Sequence, residues 1–309
     1  ISTPFAFGNN PTPPSPYGYW GGGHPGPFSI IDRIDYSNDT ATALARGPLY
    51  DGKYGLAATG NAHFGYWGAG GTGVVSTVQR LDYSSDDLET SHRSPLTEAR
   101  YYVSAVGNKD SGYWCGGYTT AAVTTVDKVN YANDTTTASP RGALSLARYG
   151  FEATGNANFG YIGGGFAKST VDRVDYSNDT PTATAKGPLS QTASDIAATG
   201  NADFGYFIGG GPGKRSSVDR IDYSNDTATA VAKGPLDSGI EGGSATGTTS
   251  FGYLGAGFDG PSVSSYVQRI NYANDTAIAS TRGNLSLAKA YLAASSAHAN
   301  VIPQTYSQG

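Results

Sequence analysis

Short apolar strands separated by glycine-rich turns follow one another along the whole chain. In one stretch, GLAATG (residues 55–60) is small and apolar, FGYWGAG begins at Phe64, and TVQRLDY (residues 77–83) opens with β-branched side chains. A fourth strand is predicted to pass through Arg93 and to end near Pro95. The Gly60-Asn61 pair tolerates the positive φ that a tight hairpin turn needs. No stretch shows the 3.6-residue period of a helix of ten residues or more, so the pattern predicts an all-β chain.

Two tyrosine positions repeat six times with the same period. The first follows a glycine in the second strand, and the second closes the third strand before a polar turn such as SNDT. The two sets are Tyr19, Tyr66, Tyr113, Tyr161, Tyr206 and Tyr253, and Tyr36, Tyr83, Tyr131, Tyr176, Tyr223 and Tyr272. A period of about 47 residues with four strands is typical of a propeller blade. The sequence therefore predicts an all-β, six-bladed β-propeller with four-stranded blades.

The predicted propeller spans residues 17–298, between a Pro-rich N-terminal arm (residues 1–16) and a C-terminal tail (residues 299–309). The first blade has no obvious first strand of its own. The sequence YLAASSAH (residues 291–298) resembles a first strand but has no blade after it. We expect this C-terminal strand to complete blade one and close the ring, with residues 5–9 as the alternative source of that strand.

Composition and charge narrow the function classes. With 20 basic and 25 acidic residues, net charge -5, the chain lacks the basic surface of a nucleic-acid-binding protein. No apolar run is long enough to span a membrane. A single cysteine, Cys115, excludes an intrachain disulfide, and we expect it to be a buried residue of a second strand. The chain contains no methionine, even at position 1, so we expect a processed form or a fragment. Low charge and 44 glycines favour an extracellular or virion surface location over that of a cytosolic enzyme.

Two basic positions recur in every unit. They are Arg33, Arg80, Lys128, Arg173, Arg220 and Arg269 in the third strands, and Arg46, Arg93, Arg141, Lys186, Lys233 and Arg282 in the fourth. We interpret them as a structural ladder of pairs between neighbouring strands. A ring of six anion sites is the functional alternative.

The recurring Asn-Asp-Thr triplet is interpreted as a turn motif, because Asn and Asp start turns through their own side chains. Glycosylation and calcium binding are alternatives, although one Asp and one Asn fall short of the oxygens that calcium needs.

Catalytic motifs are missing from the sequence. The histidines, at positions 24, 63, 92 and 298, lack metal-ligand spacing, and neither a nucleophile elbow nor a phosphate-binding loop occurs. Glutamate is scarce. The chain is therefore predicted to be non-enzymatic, with no metal and no cofactor.

The loops between second and third strands, and the crossovers between blades, vary from unit to unit on one predicted face. Binding commonly resides in such loops on a rigid scaffold, although loops also drift when nothing restrains them. The candidate ligand-binding residues are His24, Tyr54, Arg100, Tyr101, Tyr118, Arg148, Tyr149, Phe166, Lys168, Lys214, Arg215, Phe258 and Tyr291.

The third-strand segment resembles the kelch repeat. Gly163-Gly164-Gly165 followed by VDRVDY (residues 171–176) resembles the kelch Gly-Gly and its V-E-R-Y-D-P segment, in all six units. The kelch Tyr is replaced by Val174 or Ile34, and the kelch Trp of the fourth strand is absent. The DYSNDT motif also resembles repeat proteins of marine bacteriophages, especially those of cyanobacteria.

Together these features lead us to expect a non-enzymatic recognition or structural module of a phage virion or tail fibre. Its partners would be a host surface glycan or protein and other virion proteins. One alternative is a decoration protein or spacer without ligand. Another is a secreted propeller enzyme acting on polysaccharide, which carboxylates clustered at the mouth of the central channel would favour.

Overall fold

The computed structural model describes residues 15–71 and 73–297, and strands dominate them. The first twelve strands are β1 Tyr17–Gly21, β2 Ile31–Asp35, β3 Leu44–Arg46, β4 Ala57–Gly60, β5 Phe64–Gly68, β6 Val78–Asp82, β7 Ser91–Arg93, β8 Ser104–Gly107, β9 Ser111–Cys115, β10 Val126–Asn130, β11 Ser139–Pro140 and β12 Phe151–Gly155. The remaining twelve are β13 Phe159–Gly164, β14 Val171–Asp175, β15 Thr184–Lys186, β16 Ala197–Gly200, β17 Phe204–Ile208, β18 Val218–Asp222, β19 Val231–Ala232, β20 Ser244–Gly247, β21 Phe251–Phe258, β22 Val263–Asn271, β23 Ser280–Arg282 and β24 Ala293–Ser296.

The predicted polar turns contain short 3₁₀ segments in five blades. They are Tyr36–Asn38, Tyr83–Ser85, Tyr131–Asn133, Tyr223–Asn225 and Tyr272–Asn274. In the first, the Asp35 carboxylate accepts from the Ser37 amide at 2.8 Å and caps the segment. The described residues contain no α-helix, as the sequence predicts.

The strands form six antiparallel four-stranded sheets, which are the six predicted blades. Blade one has the order β24-β1-β2-β3, with Gly18 opposite Ser296 and Gly21 opposite Ala293. The C-terminal strand therefore closes the ring, as expected. The alternative strand at residues 5–9 lies outside the described residues, as do most of the predicted arm and all of the predicted tail.

The first strand of each blade lies at the centre. These six strands (β4, β8, β12, β16, β20 and β24) contact one another in a ring and line a central channel. Their sequences are short and rich in Ala, Ser, Thr and Gly, as in AATG of β4. Small side chains suit this position, because six strands converge there.

The two repeated tyrosines pack against each other across blade boundaries. The tyrosine of each second strand packs against the closing tyrosine of the next blade, with ring centroids 4.6 to 5.1 Å apart, and five of the six pairs are stacked. In blade two, Tyr66 stacks on Tyr131 of blade three at 4.6 Å. The repeated tyrosines of the sequence are therefore the residues that form a contact between each pair of neighbouring blades.

The repeated charges also connect blades. In blade five, Tyr206, Arg220 and Lys233 all reach the Asp275 carboxylate in the turn of blade six. The equivalent acceptors in the other blades are Asp39, Asp86, Asp134, Asp179 and Asp226. We call each such group of four side chains a latch. The structural interpretation of the basic residues holds, but each pair joins two blades rather than neighbouring strands of one sheet.

Cys115 and the tryptophans of the second strands are buried between blades. The Trp67 indole donates to the Ala293 carbonyl of the central strand β24 at 3.1 Å, and its ring lies where a side chain at Gly21 would be. Cys115 therefore has the buried second-strand position that the sequence predicts.

Candidate ligand-binding face

A closed ring of backbone hydrogen bonds surrounds one mouth of the central channel. It is formed by the residue one or two positions before each central strand, where the crossover from the previous blade arrives. Each amide donates to the carbonyl of the equivalent residue in the preceding blade, at 2.7 to 3.4 Å. The six residues are Gly55, Tyr102, Gly150, Asp195, Gly242 and Tyr291. We call this ring the collar, and the face that carries it the crossover face.

Every collar residue has positive φ, between 50° and 68°. Glycine adopts this conformation freely, whereas a residue with a side chain is strained by an amount on the order of 1 kcal/mol. Glycine occupies three collar positions, yet Tyr102, Asp195 and Tyr291 occupy the other three. Because backbone strain of this kind clusters at functional sites, these three residues point to the mouth as a candidate site.

Glycines and large residues alternate around the collar. A Cβ atom added to Gly150 would lie 3.0 Å from the Asp195 carboxylate, and one added to Gly242 would lie 3.0 Å from the Tyr291 ring. Tyr102 lies over Gly55 in the same way, at 3.4 Å. Each large side chain therefore occupies the space that the neighbouring glycine leaves open.

Carboxylates gather at this mouth. Glu152 replaces the small residue found at the equivalent central-strand position in the other blades, such as Ala57 or Ser104. Its carboxylate accepts from the Ser104 hydroxyl at 2.8 Å and from the Ala153 amide at 2.9 Å. Burial raises the pKa of Glu152 to about 7 despite these hydrogen bonds. The pKa of Asp195 is raised to about 6, first by burial and then by the charge of Glu241.

A small cavity of about 40 Å³ joins these groups. Tyr102, Glu152, Asp195 and Tyr291 all line it. A cavity of this volume holds at most a few groups of the size of water or ammonium. The mouth can therefore admit a small polar group, whereas a whole sugar ring has to rest on the surrounding surface.

That surrounding surface is aromatic. Nine described rings form a continuous arc on the crossover face, with neighbouring centroids 4.7 to 6.4 Å apart. We call it the aromatic arc; its members are His24, Tyr54, Tyr101, Tyr102, Tyr118, Tyr149, Phe166, Phe258 and Tyr291. Most are half-buried, while Phe166 at one end is 63% exposed and stacks on Tyr149. The arc offers ring faces and edges beside a polar mouth.

Eight members of the arc are among the residues predicted from the sequence, and the structure brings those eight together. Their role in binding stays a prediction. Tyr102, Glu152 and Asp195 are not among the predicted residues. The available signal was that Tyr102, Asp195 and Tyr291 stand where the other units have glycine.

Two predicted residues do not belong to the exposed face. Arg100 is fully buried and pairs with Asp127 at 3.0 Å, and Arg148 is 2% exposed and pairs with Asp172 at 2.8 Å. Arg148 also donates to the Ile162 carbonyl at 3.0 Å. Because these guanidinium groups are already neutralised and enclosed, they fasten the crossover to the next blade instead of facing a ligand.

The remaining predicted residues lie in the loops of the crossover face, outside the arc. Lys168 is exposed, and Lys214 and Arg215 are half-buried. The Arg215 guanidinium donates to the Thr192 carbonyl, which holds it against its own crossover. These three residues lie in the same face as the arc, but none of them belongs to it.

Neither a metal site nor a membrane-spanning helix occurs in the described part of the chain. Residues 15–71 and 73–297 contain no group of three or more His, Cys, Asp or Glu side chains arranged to hold a metal ion. No helix among them is long and apolar enough to cross a membrane.

Comparison with known proteins supports the fold but identifies neither a family nor a function. No protein-family model matches the chain, and no curated protein matches it in sequence. Many solved structures resemble it, among them that of a protein named YjhT, with a TM-score of 0.64 and 16% sequence identity. That similarity covers 79% of this chain and 87% of YjhT. At this identity the likeness supports the six-bladed propeller alone, and the kelch-like and phage resemblances stay predictions.

Proposed function

We propose that this propeller is a non-enzymatic recognition module that binds a glycan or protein of a host cell surface through its crossover face. The observation that carries the proposal is the aromatic arc. Aromatic rings supply large contact areas at low entropic cost, and Tyr in particular combines an apolar body with a polar hydroxyl. Nine such rings around a polar depression suit the flat faces and hydroxyl groups of sugars.

The molecular setting that we propose is a phage particle or tail fibre, at the virion surface or outside the cell. The support is the resemblance of the DYSNDT motif to phage repeat proteins, together with the low charge and high glycine content of the chain. Many copies on one particle would convert weak single-site contacts into firm attachment. Other virion proteins would then be its second class of partner.

A glycan array and a panel of host surface proteins test the recognition proposal. We expect binding to be lost in Tyr149→Ala, because Tyr149 contacts Tyr102, Tyr118 and Phe166 within the arc. Tyr50→Ala is the matched control, since Tyr50 is 55% exposed but contacts His92 rather than the arc. Absence of binding across both panels, or equal loss in the control, would refute the proposal and favour a spacer without ligand.

A second candidate function is hydrolysis of a polysaccharide, and one observation favours it. Glu152 and Asp195 line one cavity, with pKa values raised to about 7 and about 6. A protonated and an ionised carboxyl group are the pair that glycosidases use. Release of reducing ends from host polysaccharides by the wild-type protein, abolished in Glu152→Gln, would establish this function in place of simple binding.

A further inference from the structure

Charge is balanced almost everywhere inside this protein. The buried carboxylates Asp32, Asp127 and Asp172 each pair with a buried Lys or Arg at 2.8 to 3.0 Å. The six latch aspartates are also each paired with basic residues of the preceding blade. Asp219 is an exception, but it accepts from the amide and hydroxyl of Ser190. The fold therefore normally provides a cation or donors for a carboxylate that it encloses.

Two carboxylates at the channel mouth break this rule. Within residues 15–71 and 73–297, neither Asp195 nor Glu241 has a basic partner or a hydrogen-bond donor, whereas Glu152 accepts from Ser104 and Ala153. The basic residues nearest in sequence to Glu152, Asp195 and Glu241 are already engaged. Arg148 pairs with Asp172, Lys186 with Asp226 and Lys233 with Asp275. Burial, and then the charge of Glu241, raises the pKa of Asp195 to about 6, and no basic group opposes this shift. The mouth thus presents negative charge that nothing in the described chain neutralises.

Aromatic rings flank this uncompensated charge. Tyr102 and Tyr291 lie 5.4 Å apart in an edge-to-face arrangement, and both line the cavity with Asp195. Burial, then the nearby Asp195 charge, raises the pKa of Tyr102 to about 12, so its hydroxyl stays neutral at physiological pH. The faces of neutral aromatic rings attract organic cations. Rings and carboxylates together complement a positively charged ligand group.

We propose that the ligand of the crossover face is a glycan that carries free amino groups, one of which enters the collar beside Asp195 and next to the rings of Tyr102 and Tyr291. This inference rests on the proposed recognition function and specifies its ligand class. A cavity of about 40 Å³ takes an ammonium group but not a whole sugar ring, which leaves the rings of the sugar for the aromatic arc. A bare metal ion fits less well, because no set of three metal-ligating side chains occurs among the described residues.

Two oligosaccharides of the same sugar backbone, one with free amines and one with acetamides, provide the test. The probes are a glucosamine tetramer and its N-acetylated counterpart, titrated calorimetrically at pH 7 and low salt. We expect the wild-type protein to bind the amino tetramer at least tenfold more tightly. Asp195→Asn, which keeps the shape of the side chain, is expected to abolish this preference. Asp203→Asn is the matched control, because Asp203 is an exposed residue of the same blade in a turn on the opposite face.

The possible outcomes distinguish a failure of the amino-group inference from a failure of the proposed recognition function. Equal affinity for the two tetramers in the wild-type protein would overturn the amino-group inference. So would a tenfold preference that persists in Asp195→Asn. Tighter binding of a lysine tetramer than of the amino tetramer would replace the glycan by a basic peptide as occupant. If neither tetramer binds while other glycans on the array do, only the amino-group inference fails. If no glycan and no host protein binds, the recognition function itself fails.

Discussion

The latch at Asp275 offers a direct measure of what holds neighbouring blades together. Its carboxylate is 8% exposed and accepts from the Tyr206 hydroxyl at 3.0 Å and from Arg220 at 2.8 Å, with Lys233 at 3.2 Å. Burial raises the pKa of Asp275, but the Tyr206 and Lys233 hydrogen bonds and the Arg220 charge outweigh burial and leave this pKa below its usual value. The ionised form therefore stabilises the folded state.

Replacing Asp275 by Asn keeps the size of the side chain but leaves two basic groups without their counter-charge. Removing one partner of a buried pair costs 3–5 kcal/mol, and the partial exposure of Arg220 and Lys233 places the expected cost near the lower limit, about 3 kcal/mol. For a propeller of this size, an unfolding entropy of about 0.6 kcal/mol/K converts this loss into a Tm decrease of about 5 °C.

Calorimetric unfolding of Asp275→Asn and the wild-type protein across pH checks this prediction. Because the folded pKa is lowered, the stabilisation is present above the usual Asp pKa and is lost as pH falls through the folded value. The Tm difference should therefore be full at pH 7 and shrink below about pH 4. Asp222→Asn serves as control, since Asp222 only caps its own turn, and Asn130 and Asn271 cap the equivalent turns of other blades. This change should therefore cost well under about 1 kcal/mol. A Tm equal to that of the control at pH 7, or a difference that persists in acid, would refute the latch mechanism.

Three further changes have defined expectations. Because the pKa of Glu152 is raised to about 7, this residue should make stability fall by on the order of 2 kcal/mol as pH rises from 5 to 8. In denaturant titrations, Glu152→Gln should remove this part of the decline and leave the smaller part that comes from the raised pKa of Asp195. Asp195→Gly should raise the free energy of unfolding by about 1 kcal/mol, because glycine adopts the positive φ of this position without strain. The same change should weaken ligand binding. Unchanged stability would argue against backbone strain in the collar. Trp67→Phe removes the hydrogen bond to the Ala293 carbonyl and should cost about 1–2 kcal/mol, measured by urea unfolding; a smaller loss would mean that water replaces the indole.

The blades and the ring closure could be predicted because their signals are local. Each unit carries its own strands, turns and tyrosines, so comparing six copies reveals the period. The closing strand was recognisable because residues 291–296 have the small-residue composition of the other central strands. The sequence predicts Arg100 and Arg148 on the surface, because a basic residue in a crossover usually faces water. Their partners, Asp127 and Asp172, lie about two dozen residues further on in the next blade.

The collar could not be predicted from any single unit. Its hydrogen bonds join residues from six blades, roughly one repeat apart, and no local pattern marks them. Positive φ is visible in the sequence only where glycine occupies the position, as at Gly55. Tyr102 and Asp195 therefore look like ordinary crossover residues until the ring brings them to one mouth.

The amide dipoles of the collar point around the channel, each donating to the carbonyl of the blade before it. Six dipoles that circulate in this way largely cancel along the channel axis, in contrast to the aligned dipoles of a helix. The backbone therefore adds little axial field to the mouth. The electrostatic potential at the mouth is therefore set by the side chains at the six collar positions. Ligand specificity can change when a collar glycine is replaced by another residue, while the propeller scaffold stays the same.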